Sequence, residues 1–73
     1  MTQKEIKDSI INDMELGKHY SKDNYVYSFA KSKRLSEQEV RDALESIPSN
    51  IVETTLDDQD NIELIRKIRV PMP

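Results

Sequence analysis

Apolar residues recur at helical spacing in the first part of the chain. From Ile6 to Met14 they follow one another at intervals of four, which places them on one side of a helix. The motif T-x-x-E over residues 2–5 has the spacing of a capping box, which marks a helix N-terminus. Gly17 stands where a left-handed residue commonly ends a helix. The pattern predicts a first helix over about residues 3–16.

Two further stretches have helical spacing. One, V-x-x-F-A, follows Ser21 as a possible N-cap and predicts a second helix over about residues 22–33. The other, V-x-x-A-L-x-x-I, follows a second capping box that begins at Ser36, and a proline comes directly after it. It predicts a third helix over about residues 37–47. Two short helices joined by about three residues have the spacing of a helix-turn-helix.

The last third of the chain alternates between apolar and polar residues. This alternation flanks the turn-forming sequence D-D-Q-D-N and predicts a β-hairpin over about residues 51–70. A competing interpretation is a fourth helix over residues 61–69, which would give an all-α four-helix domain. The β-branched residues of V-E-T-T before the turn favour the hairpin.

The motif L-S-x-x-x-V-x-x-A-L-x-x-I, from Leu35 to Ile47, is followed by the predicted hairpin. With the preceding helices it resembles the winged helix-turn-helix superfamily over residues 3–70. The fold class expected is therefore α+β, with one small domain over residues 1–73 that has three helices followed by a hairpin.

The resemblance implies a small regulatory protein that binds duplex DNA through its third helix. In DNA-binding members, exposed residues near the start of this helix contact base edges, and nearby cations contact phosphates. A chain this small and acidic would bind weakly alone, so a homodimer or a cooperative array is expected. The candidates for base contacts are Ser36, Gln38 and Arg41. The candidates for phosphate contacts are Lys22, Lys31, Lys33 and Arg34.

The distribution of charge supports a different function. The net charge is −3, but residues 17–35 carry +4, whereas residues 36–63 have only Arg41 against nine acids and carry −8. Superfamily members often have cations at the tip of the hairpin, where this chain has three aspartates. The alternative is a protein-interaction module, or an inhibitor of the phage or accessory type, that binds a basic protein partner. Its acidic face would comprise Glu37, Asp42, Glu45, Asp57, Asp58 and Asp60.

A second basic group falls in the last predicted strand. Alternation places Arg66 on the core side and points Lys67 and Arg69 outward. The outward pair would contact phosphate or a partner's carboxylates, or would protect a sheet edge from aggregation. Among the aromatic residues, Tyr27 lies opposite the apolar side of the second helix and is expected to be exposed.

Composition argues against catalysis and against cofactors. The chain has no cysteine, a single histidine at position 19 and a single glycine, so thiolate metal sites, a histidine-based catalyst and a glycine-rich phosphate loop are not expected. The protein is expected not to be an enzyme and to bind neither a metal nor a cofactor. No signal peptide or long apolar run is evident, so a cytoplasmic protein without a membrane partner is expected.

Overall fold

A computed structural model describes residues 1–68, which form a small α+β domain with three helices and a three-stranded antiparallel sheet. The helices are α1 (Gln3–Asp13), α2 (Lys22–Lys33) and α3 (Glu37–Ser46). The strands are β1 (His19–Ser21), β2 (Val52–Leu56) and β3 (Ile62–Arg66). The all-α alternative is wrong, because residues 62–66 form a strand. Residues 69 and 70 of the predicted hairpin, and with them Arg69, lie outside the described residues.

The N-termini of α1 and α3 are formed by the predicted capping boxes. The hydroxyl oxygen of Thr2 accepts a hydrogen bond from the backbone N–H of Glu5 at 3.2 Å, and the Glu5 carboxylate accepts one from the Thr2 N–H at 2.9 Å. These hydrogen bonds lower the pKa of Glu5. Ser36 and Glu39 make the same reciprocal pair at the start of α3. Both boxes satisfy N–H groups that have no partner inside the helix.

Helix α1 ends at Asp13, three residues before the predicted end. The backbone of Met14 is already extended, with φ −76° and ψ 129°. Gly17 has the left-handed conformation that was expected, with φ 77°, but it belongs to the turn after the helix. Its N–H donates to the carbonyl of Arg66 at 2.8 Å, so the segment after α1 is held by the sheet.

The strand β1 was missing from the sequence prediction. It pairs antiparallel with β3, and Tyr20 lies opposite Leu64. Strand β2 pairs with the other edge of β3, so the spatial order is β1-β3-β2. Three residues are too few to show an alternation, which explains why β1 could not be predicted from the pattern.

The core lies between the three helices and one face of the sheet. Helix α3 packs against both α1 and α2, and α2 also contacts β1 and β3. Among the described residues, every buried side-chain nitrogen and oxygen has a hydrogen-bond partner. None of the helices in this part of the chain has the length and apolar character needed to cross a bilayer. The buried apolar side chains are Ile6, Ile10, Ile11, Met14, Tyr25, Val26, Phe29, Ala30, Val40, Ala43, Leu44, Ile47, Val52 and Leu64.

Candidate functional site

Helix α3 buries one side and exposes an acidic one. Val40, Ala43 and Leu44 are buried in the core. With 100° between successive residues, the opposite side carries Gln38, Arg41, Asp42 and Glu45, with Glu37 at its margin. Glu37, Asp42 and Glu45 are exposed, whereas Arg41 is half-buried. These three exposed acids are called the acidic helix surface below.

Two of the three candidates for base contacts are engaged within α3. The hydroxyl of Ser36 accepts a hydrogen bond from the Glu39 N–H at 3.2 Å and donates one to the Glu39 carboxylate at 3.1 Å. The side-chain amide of Gln38 donates to Oδ1 of Asp42 at 2.8 Å. The serine therefore completes the helix cap, and the glutamine amide satisfies a neighbouring carboxylate.

The third candidate, Arg41, forms an ion pair with another helix. Its Nη2 lies 3.0 Å from Oδ1 of Asp23 in the first turn of α2 and 4.0 Å from Oε1 of Glu37. The Arg41 side chain is 35% exposed and that of Asp23 is 85% exposed, so the pair contributes on the order of 0.5 kcal/mol to stability. The only cation on the exposed side of α3 thus already faces two carboxylates.

Three of the four phosphate candidates lie together at the C-terminal end of α2. Lys31 and Lys33 are in its last turn and Arg34 follows directly. Nζ of Lys31 lies 5.8 Å from the Tyr27 ring centre, and Nζ of Lys33 lies 5.9 Å from that of Phe29. Within residues 1–68, none of the ion pairs includes these three cations. They form the basic end of α2.

Lys22 is separated from the other phosphate candidates. It is the first residue of α2 and is half-buried. Lys33 is eleven positions later in the helix, and at 1.5 Å per residue this places the two about 16 Å apart along the helix axis. The predicted set of four cations is therefore a cluster of three and one distant lysine.

The backbone at Arg34 is left-handed, with φ 58° and ψ 44°. The N–H of Leu35 donates to the carbonyl of Ala30 at 2.8 Å, and the N–H of Arg34 donates to that of Lys31 at 3.4 Å. These hydrogen bonds define a Schellman motif, in which glycine is the usual residue at the left-handed position. An arginine there costs conformational energy that a glycine would not.

An open groove runs between α2 and the start of α3. Tyr27 is 56% exposed, as its position on the helix predicted. By contrast, Tyr25 and Phe29 are buried in the core and their rings stack. The groove is lined by Tyr27, Ala30, Lys31, Leu35, Ser36 and Glu37.

The turn of the hairpin is held by Asp57. Its Oδ1 accepts hydrogen bonds from the N–H groups of Asn61 at 2.9 Å and Gln59 at 2.8 Å, and these lower the pKa of the Asp57 carboxyl. Asp60 is left-handed, with φ 62°, and its N–H donates to the carbonyl of Asp57 at 3.1 Å, which closes a β-turn over residues 57–60. Asp57 therefore has a structural role, whereas Asp58 and Asp60 are exposed.

Exposed apolar side chains stand directly behind this turn. Leu56 pairs with Ile62 across the two strands, and they are 58% and 45% exposed. Both lie on the face of the sheet that carries Leu64, but beyond the core. Leu56, Ile62, Asp58 and Asp60 are called the hairpin end below.

The second basic group is structural over its described part. Nη1 of Arg66 donates to the carbonyl of Met14 at 3.0 Å, and Nζ of Lys67 lies 3.1 Å from Oε2 of Glu53. The expected core-side direction of Arg66 agrees with its partial burial. Lys67 is exposed, as expected, but it faces a carboxylate of the chain itself.

Metal-ligating side chains do not converge in the part of the chain that the structure describes. No group of three among the histidine, aspartate and glutamate residues at 1–68 lies close enough to hold a metal ion. The single histidine, His19, has Nδ1 3.3 Å from Oε1 of Glu63 on the neighbouring strand. This pair is exposed on the outer face of the sheet.

Comparison with protein-family models, with curated proteins and with solved structures gives no match for this chain.

Proposed function

We propose that the chain is a small winged-helix module, without enzymatic activity, that binds a basic protein surface through its acidic side. The order of elements supports the winged-helix assignment: a helix, a short strand, two helices joined by a tight turn, and a hairpin. The antiparallel sheet, with β3 between β1 and β2, fits the same architecture. On this scaffold α3 is the helix that faces a partner.

The charge of α3 is the observation that carries the proposal. Its exposed side presents Glu37, Asp42 and Glu45, and its one cation, Arg41, is paired with Asp23. Duplex DNA has a negative charge about every 1.7 Å along its axis, so a helix with this surface would be repelled from the major groove. A basic protein surface would instead be attracted, and the same charges would speed its association.

Site-directed crosslinking in cells that naturally contain the protein would test this proposal. A photoreactive amino acid at Gln38, on the exposed side of α3, is expected to give protein adducts. The same group at Lys4, exposed on α1, is the positional control. The variant Asp42→Lys/Glu45→Lys should lose the adducts while it keeps its fold, since both side chains are exposed. Equal adducts from both positions, or adducts that survive charge reversal, would contradict the proposal.

The basic end of α2 supports a second candidate function, binding of duplex DNA. Lys31, Lys33 and Arg34 lie beside the start of α3, where cations that hold phosphate are expected in a DNA-binding winged helix. On this alternative, these cations and not α3 would supply most of the affinity.

Fluorescence anisotropy with a random duplex at about 50 mM and about 200 mM salt would decide between the two candidates. Binding through three phosphate contacts should weaken about 40-fold over this range. The variant Lys31→Glu/Lys33→Glu should abolish it, whereas Lys4→Glu/Lys18→Glu, with the same change in charge, should bind more strongly than that variant. If wild-type protein does not bind at the lower salt, DNA is not a partner of this domain.

A further inference from the structure

Two exposed patches of the domain combine apolar surface with charges of opposite sign. The hairpin end has Leu56 and Ile62 behind the exposed carboxylates of Asp58 and Asp60. The other patch is the groove beside the basic end of α2, which Tyr27, half-buried Leu35 and Lys31 help to line, and Arg34 directly precedes Leu35. Beside its apolar side chains, the hairpin end therefore carries exposed acids, whereas the groove carries cations.

The hairpin end is suited to insertion because its apolar pair projects beyond the core. Leu56 and Ile62 face each other in register, so their side chains form one small surface at the tip of the sheet. Asp57 fixes the turn with its own carboxylate, which leaves Asp58 and Asp60 available to a partner. The tip is thus a hydrogen-bonded turn with an apolar base and an acidic rim.

The groove is suited to receive an acidic element. Lys31 lies over the Tyr27 ring, and the left-handed Arg34 keeps a cation at a position where glycine would be less strained. Glu37 is the one acid that lines the groove, and the Arg41 guanidinium lies 4.0 Å from its carboxylate. Lys31, in the lining, and Arg34, next to Leu35 in the sequence, form no ion pair within residues 1–68, so the charges left unpaired in and beside the groove are positive.

The two patches of one molecule lie at opposite ends of α2. Ser21 pairs with Glu63, so Ile62 lies near the first residue of α2. The α2 residues that line the groove, Tyr27 to Lys31, lie about 8 to 14 Å further along the helix axis. The hairpin end can therefore meet a groove of this kind only on another molecule.

We infer that the hairpin end of one copy docks into the basic groove of a second copy. The apolar pair would cover Tyr27 and Leu35, while Asp58 and Asp60 approach Lys31 and Arg34. Because the contact joins two different patches, it gives open chains or closed assemblies, the smallest of which is a two-fold dimer with two reciprocal contacts. The inference goes beyond the proposed function, because it uses the acidic turn of the hairpin and not the acidic helix surface, and it names a second copy as the partner of that turn.

Sedimentation velocity over a hundredfold range of protein concentration tests this contact. The hairpin variant is Leu56→Thr/Asp58→Asn, which keeps a strand-forming residue and removes an apolar side chain and a charge. The groove variant is Lys31→Gln/Arg34→Gly, in which glycine suits the left-handed backbone. The control, Lys4→Gln/Lys18→Gln, removes the same charge as the groove variant from elsewhere on the surface.

The wild-type protein should form dimers or larger species as its concentration rises, and salt should weaken this association. Each variant alone should remain monomeric, and the control should associate like wild type. An equimolar mixture of the two variants should stop at a dimer, because only one intact hairpin end and one intact groove can meet. A monomeric wild type at the highest concentration, or a groove variant that associates alone, would overturn the inference.

The variant Asp42→Lys/Glu45→Lys separates this inference from the proposed function. It changes the acidic helix surface but neither patch, so it should self-associate like wild type even where it loses crosslinks to other proteins. Association that disappears in this variant would place the contact on α3 and contradict the docking of the hairpin end into the groove. Salt-sensitive binding of the wild-type groove to duplex DNA, without self-association, would assign the groove to nucleic acid and also contradict it.

Discussion

The guanidinium of Arg66 donates a hydrogen bond at 3.0 Å to the backbone carbonyl of Met14, a residue 52 positions earlier. The Arg66 carbonyl in turn accepts a hydrogen bond from the N–H of Gly17 at 2.8 Å. One residue of β3 therefore holds both sides of the turn that follows α1. Met14 itself is buried, so this turn fixes the position of a core side chain.

Replacement of Arg66 by methionine should lower the free energy of unfolding by about 1–2 kcal/mol, because a partly buried carbonyl loses its charged donor while the aliphatic contacts remain. For a domain of this size, this corresponds to a fall in Tm of roughly 4–8 °C per kcal/mol. Urea unfolding followed by circular dichroism would measure it. The matched control is Lys67→Met, which removes an exposed ion pair with Glu53 and should cost less than about 0.5 kcal/mol. Equal losses of stability in the two variants would show that the Arg66 hydrogen bond stabilises the domain no more than the exposed ion pair of Lys67 does.

The helices and the hairpin were predictable because their signals are local. The capping boxes and the apolar spacing fixed the start of α1 and both ends of α2 and α3 to within a residue. The end of α1 was not predictable, because it depends on hydrogen bonds from Arg66, which lies far away in sequence. The same is true of β1, whose three residues become a strand only by pairing with β3.

The candidate site was predictable in composition but not in its contacts. The acids and cations stand where the sequence places them, and the exposure of Tyr27 followed from helical periodicity. The pairing of Arg41 with Asp23 joins two helices and depends on the angle between them, which periodicity does not give. That pairing changes the interpretation of α3, because it engages the one cation among the three candidates for base contacts.

The hydroxyl of Tyr25 donates to Oδ2 of Asp13 at 2.7 Å, and its loss in Tyr25→Phe should cost about 1 kcal/mol at neutral pH. Burial, helped by the hydrogen bond to the Asp13 carboxylate, raises the pKa of Tyr25 above its ordinary value. The folded protein thus keeps a proton that the unfolded chain releases near pH 10. This contribution is complete below about pH 10 and declines as the pH rises further.

Urea unfolding of wild type and Tyr25→Phe at neutral pH and above pH 10 would test this dependence. The difference in stability between the two proteins should shrink as the pH rises, because only wild type has the buried phenol. Every other titratable group is present in both proteins, so its contribution cancels in the comparison. A difference that is constant with pH would show that Tyr25 ionises equally in the folded and unfolded chains.

Asp57 should stabilise the hairpin only while it is ionised. The N–H groups of Asn61 and Gln59 hold the pKa of its carboxyl below the usual value. Its contribution is therefore complete above the unfolded pKa of about 4 and is lost as the pH falls through the lower folded value. The amide protons of Gln59 and Asn61 should shift together in NMR spectra, with a midpoint below the ordinary pKa of an aspartate.

The variant Asp57→Ala provides the corresponding stability measurement. It should have a lower Tm than wild type at neutral pH, and the difference should vanish in acid, where the wild-type carboxyl is protonated. Asp58→Ala is the control, since the carboxylate of Asp58 makes no hydrogen bond among those found in residues 1–68. If both alanine variants lose the same stability at neutral pH, the turn does not depend on the Asp57 carboxylate.

Arg34→Gly should make the domain more stable and its basic groove weaker. Glycine adopts the left-handed backbone of the Schellman motif without strain, although it also gives the unfolded chain more freedom. The net gain is expected to be about 0.5–1 kcal/mol, measured by urea unfolding. Self-association should fall in the same variant, because the groove loses a cation.

Arg34→Ala separates the two effects: it removes the charge but keeps a Cβ, so it should weaken association equally without the gain in stability. If glycine and alanine instead give the same stability, relief of backbone strain is not the cause, and if both associate like wild type, Arg34 does not contribute to the contact between copies.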